Sequence, residues 1–220
     1  MGVSQTPTTQ KLALGSIGSE KDFLLQKDFS YSGLPAYSKP IKLEVKPVVF
    51  KKQSFKQFEK ASQLQNSNVS IIYIDSLEQK PKYIELILAD KIELVDAINS
   101  KKNKGIKNYL SHNKYANVLT HISVAFNQKH YGALTSADAV FLIEKNPKIY
   151  ALSIYKNNTH KNILLDDGVV FQYSTSNCCW QEDSRRQLQI VDIVDNYSNC
   201  PNNTYKSSKR AKKKINYFKL

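Results

Sequence analysis

The first chemistry the chain offers lies in Lys39–Val49, KPIKLEVKPVV, where Glu44 and Lys46 sit one residue apart among β-formers. Side chains on a strand alternate faces, so Glu44 and Lys46 share one face while Leu43 and Val45 take the other. A carboxylate beside an ammonium has two readings. The plain one is a solvated ion pair on a surface strand. The chemical one is half of a metal-dependent phosphodiesterase site: Glu44 would hold Mg²⁺ or Mn²⁺ through oxygen, and Lys46 would steady the attacking water or the charge developing on phosphorus. That site needs a second carboxylate. Asp28, in KDFSYSG, is the candidate, and Gly33 and Pro35 mark the turn that would bring its strand back beside Glu44.

A strand Asp, a loop and then ExK on the next strand resembles the PD-(D/E)xK nuclease superfamily. In this chain Lys27 stands where the family has Pro, and Asp22 is the alternative to Asp28. Residues 118–154 are similar to the nuclease-like domains of fungal and Crinkler-type proteins, which often stand beside a kinase-like domain. The matching segments are Tyr131-Gly132-Ala133-Leu134-Thr135, then Ala139–Ile143, then Ile149–Ile154. The resemblance covers roughly residues 20–155. It implies a restriction-endonuclease-like α/β or α+β domain whose mixed central sheet is flanked by helices. It further implies catalysis by Asp28, Glu44 and Lys46, metal ligation by Asp28 and Glu44, and a kinase-like or other protein partner. Glu20 and His121, which falls where the family's helix carries Gln, become accessory site candidates.

Among the elements that would position these groups, Asp28–Ser32 and 40–49 are the two site strands. Phe55, Phe58 and Ser62 recur at helical spacing and predict a helix over 53–66. Residues 69–77, VSIIYIDSL, read as a buried strand. Residues 82–88 suit strand or helix, and 90–99 an amphipathic helix. A surface loop or short helix is expected at 100–114, with Tyr109 among basic groups that could track a nucleic-acid backbone. A helix carrying His121 is expected at 115–128, and strands at 131–143 and 149–155 with Asn146-Pro147 in the turn. A loop at 157–168, a strand at 169–173 and a helix or strand at 184–195 complete the domain.

At 220 residues the chain allows one domain with appendages: a flexible segment 1–18, the domain 19–197 and a basic disordered tail 198–220. A formal charge of +13 attracts polyanions, nucleic acid (DNA or RNA) before anionic membrane. Lys209, Arg210, Lys212, Lys213 and Lys214 form a cluster that reads as a nuclear-import signal or a nucleic-acid-binding tail, against a merely solvated terminus. Three late cysteines, two of them adjacent, do not suggest a disulfide framework or a zinc site. They point to a reducing intracellular compartment, nuclear or alternatively cytoplasmic. No apolar run reaches membrane-spanning length. Met1–Thr6 fits the loose N-myristoylation pattern at Gly2, which keeps a membrane-surface protein in view. The remaining alternative is a non-enzymatic basic interaction or assembly protein, such as a viral structural component.

Overall fold

The computed structural model describes the backbone of residues 5–23, 26–76, 78–146 and 149–216, and the side chains of these except 21–23, 26–28 and 213–216. Gly2, and with it the acylation pattern, lies outside the described residues. A large antiparallel sheet dominates a mixed α/β protein with five α-helices among the described residues. The chain divides into two compact units: unit 1 is Met1–Leu14, Lys39–Ala89 and Thr120–Ser174, and unit 2 is Gly15–Ser38, Asp90–Leu119 and Thr175–Leu220. The expected single domain at 19–197 is therefore built as two interleaved units.

In unit 1, β1 (Thr6–Pro7), β4 (Ile41–Val49), β5 (Lys82–Leu88), β7 (Ala139–Asn146), β8 (Ile149–Lys156) and β9 (Thr159–Leu164) join parts of β6 (Ala116–Ala125) and β10 (Val169–Glu182). Their order is β1-β10-β6-β5-β4-β7-β8-β9. The sheet was expected to be mixed. The β1–β10, β4–β5, β4–β7, β5–β6, β7–β8 and β8–β9 pairings are all antiparallel. The predicted helix is present as α1 (Lys52–Leu64). It lays Phe58 and Ala61 on one end of a sheet face, where Phe50 meets Tyr83 at 4.9 Å and Phe171 at 5.7 Å between ring centroids.

Several expectations fail in unit 1, each for a physical reason. In place of the helix expected at 115–128 stands β6, Ala116–Ala125, which carries His121. Its β-branched residues Val118, Thr120, Ile122 and Val124 share one parity, but nearly every residue is buried and polar Asn117, Thr120, His121 and Ser123 fall on both parities, so no wet face marks the period and periodicity does not separate strand from helix. Conversely, Tyr131–Thr135 belongs to α4 (Gln128–Thr135), whose cap is the Asn127 side chain accepting from His130 N at 2.9 Å. Residues 69–74 join no ladder. They run extended, with Val69, Ile71 and Tyr73 packed on the α1 cluster while Ile72 and Ile74 face solvent. The expected loop at 157–168 contains β9, a polar edge strand, and a 3-10 turn. Residues 147–148, the expected turn, lie outside the described residues.

In unit 2, β2 (Ile17–Phe23) pairs antiparallel with β3 (Gln26–Gly33) and, through Ile17–Ser19, with Ala116–Val118 of β6. β11 (Leu188–Asp195) pairs with Ser176–Glu182 of β10. Gly15 adopts φ +85°, where a Cβ would meet the Tyr37 hydroxyl that donates to the Gly15 carbonyl at 2.7 Å. Three helices complete the unit: α2 (Lys91–Asn99), α3 (Lys104–His112) and α5 (Ser208–Asn216). Asn99 clamps α2 to β11, donating to Ile190 O at 2.7 Å and accepting from Ile190 N at 3.1 Å. Asn103, buried before α3, donates to Ala36 O and Ala97 O and accepts from Ala36 N.

The described residues near both ends pair with or pack on the rest of their units. At the N-terminal end, β1 is paired, and Leu12 and Leu14 are buried. At the C-terminal end, Cys200 is bonded to Cys179, Tyr205 bridges Trp180, and Ala211 buries one side of α5. The disulfide is a second correction. Adjacent cysteines on a strand face opposite sides, so Cys179 reaches Cys200 while Cys178 is buried as a free thiol. The pairing removes the cysteine argument for a reducing compartment.

Candidate functional site

Glu44 and Lys46 share a face of β4, as the alternation requires. Lys46 Nζ lies 3.0 Å from Glu44 Oε1, and each side chain is 49% exposed. Behind them Ile41 and Leu43 are buried. The pair is a solvated ion pair on an open sheet face. β3, which carries Asp28, pairs with β2, and β4 pairs with β5 and β7. The side chains of Asp28 and Asp22 lie outside the described residues. Glu20 accepts from the Thr175 hydroxyl at 3.0 Å. Among the described residues, no three His, Cys, Asp or Glu side chains converge as metal ligands.

His121 belongs to a polar row that sequence reasoning did not assemble. Lys46 is in register with Glu85 and Glu85 with Ser123; Ile87, beside Glu44, is in register with His121. Gln5 reaches over this row. Its amide nitrogen is 2.8 Å from His121 Nε2 and 3.2 Å from Glu85 Oε1, and its carbonyl accepts from Ser123 Oγ. Glu85 Oε2 stands 3.5 Å from His121 Nε2. Next along β5, burial first and Glu85 second push the Tyr83 phenol up to about 12. The Ser123 hydroxyl gives its proton to an amide rather than a base, so this is an internal network that holds residue 5 to β5 and β6.

Unit 2 holds two helices that fall in acid-free sequence. No Asp or Glu occurs between Asp96 and Asp138, nor after Asp195, and α3 and α5 fall in these two acid-free stretches. Both helices pack together, with Ser208 Oγ donating to Ser111 O. Burial of Leu110 on α3 and Ala211 on α5 turns Lys104, Lys209, Arg210 and Lys212 outward. The side chains of Lys213 and Lys214 lie outside the described residues. Two clefts open on this surface, of about 430 and 500 Å³. One has Lys114, Lys206 and Lys209 on its walls, the other Lys101, Lys104, Lys107, Arg186 and Lys212, and Trp180 lines both. None of the described residues lining either cleft is Asp or Glu. The Tyr109 hydroxyl accepts from Ser32 at 2.6 Å and from Asn113 at 2.9 Å.

Comparison with protein-family models, curated proteins and solved structures finds no match to this chain. No helix among the described residues is long and apolar enough to cross a membrane.

Proposed function

We propose that the protein binds nucleic acid through the basic face of α3 and α5, gripping the phosphate backbone with little sequence preference. The observation that carries this is the pair of clefts in unit 2 whose charged lining is cationic throughout. Ammonium and guanidinium groups on α3, α5 and the turns beside them, with no carboxylate among the described lining residues, suit a polyanion far better than a small neutral ligand. Each phosphate neutralised releases condensed counterions, so affinity comes from the number of cations that reach the backbone. The C-terminal cluster works as an ordered basic helix with a buried anchor at Ala211, which lowers the entropy lost on binding compared with a free tail.

Binding rather than cutting is the reading the geometry favours. The exposed Glu44–Lys46 pair contributes mutual neutralisation on β4, and Lys46 is in register with Glu85 of the Gln5 network. The test is fluorescence anisotropy with a labelled oligonucleotide and the full chain. Lys104→Ala with Lys209→Ala is expected to weaken binding at least about tenfold at moderate salt, since each lost phosphate contact also removes its released counterions. Parent-like binding by this double variant would remove α3 and α5 from the interface.

A further inference from the structure

The cleft beside the N-terminal turn of α5 holds an aromatic group that phosphate binding does not need. Tyr115 is 62% exposed on its wall, and Lys114 Nζ lies 4.6 Å from the ring centroid. The ring is held on a short, ordered turn, since Tyr115 N donates to Asn113 Oδ1 at 3.0 Å and Ala116 N to Asn113 O at 3.1 Å. Asn117 and Asn177 add amide groups to the lining of the same cleft, and Lys206, Ser207 and Lys209 bring the basic start of α5 to it. Single exposed aromatics are common on protein surfaces; what sets Tyr115 apart is its place within a cationic cleft where a base could lie on it.

Building on the basic-face reading, we propose that this cleft selects single-stranded nucleic acid, with an unstacked base on Tyr115 and its flanking phosphates on Lys114, Lys206 and Lys209. Bases inside a duplex are already stacked on each other and cannot present a face to Tyr115, whereas every base of a single strand can. The start of α5 favours an anion at the same place, because the unpaired N–H groups of a helix N-terminus carry partial positive charge. Stacking is indifferent to base identity, so the preference is for strandedness rather than for sequence. Trp180, the only tryptophan, lines the cleft and reports on its occupant.

The experiment compares binding of an oligothymidylate and of a duplex of equal length to the full chain, by anisotropy and by Trp180 emission. Parent protein is expected to prefer the single strand. Tyr115→Ala is expected to lower single-strand affinity about tenfold and leave duplex affinity unchanged, while Tyr115→Phe keeps the parent preference. A Tyr115→Ala protein of parent-like circular dichroism that binds both probes like the parent, or loses both equally, overturns the stacking role. Lys206→Ala with Lys209→Ala separates the two levels. If that variant weakens both probes but Tyr115→Ala changes neither, the basic face stands and the single-strand preference falls. If it changes neither probe, the basic face falls as well.

Discussion

At the residue scale, position on a strand decides what a charged group can do. Glu44 and Lys46 were legible from alternation alone, down to the face they share. Their solvent exposure was not, because an ExK triplet reads the same whether a third element covers it or leaves it open. An exposed pair of this kind contributes about 0–1 kcal/mol. Glu44→Ala and Lys46→Ala are therefore expected to shift the urea midpoint little and to leave oligonucleotide binding unchanged. Cleavage of the probe with Mg²⁺ or Mn²⁺ that either substitution abolishes would overturn the ion-pair reading. Two buried acids give a second prediction. Burial pushes the Cys178 thiol from 9.0 up to about 12, and burial with Glu85 moves the Tyr83 phenol from 10.0 to about 12. Between pH 9 and 12 the unfolded chain loses these protons while the folded chain keeps them. Stability must then fall as pH rises through that window. Urea midpoints against pH check this, and Tyr83→Phe should make the decline shallower above pH 10.

At the element scale, the sequence was clearest where one face is wet. The strand at 41–49 alternates Ile41 and Leu43 with Lys42 and Glu44, and α1 and α2 show one apolar side each. It was unclear where both faces are covered, as on β6, and where an edge strand is polar on nearly every residue, as on β9. The segment 69–74 shows that period-two alternation is a property of extended chain, not of pairing: Tyr73 stacks on Phe55 at 4.8 Å with no ladder formed. The disulfide was hidden by counting cysteines without placing them on a strand. Closing 21 residues of chain, it is expected to contribute about 3 kcal/mol, chiefly by restricting the unfolded state. Reduction by a dithiol should lower the melting temperature and speed proteolysis within 196–207, where Tyr197 is 89% exposed. Equal cleavage rates with and without the dithiol would show that the bond does not hold this segment.

At the scale of the whole molecule, a formal charge of +13 states only that polyanions are attracted. What the fold adds is distribution: it packs α3 and α5, one from each acid-free stretch, against each other and gives their lysines concave surfaces to act on. The sequence named Lys209–Lys214 but read them as a free tail, because a cationic run with one apolar residue in its middle carries no signature of the surface that buries Ala211. It did not join them to Lys101–Lys107, since proximity across about a hundred residues is a tertiary fact. The decisive measurement is the salt dependence of oligothymidylate binding by the full chain. Affinity is expected to fall linearly in log–log form, with a slope near −0.7 for each phosphate neutralised, and to lose about 0.7 of slope for each lysine removed from α3 or α5. A slope near zero, or one unchanged by those substitutions, would contradict a backbone grip by these two helices.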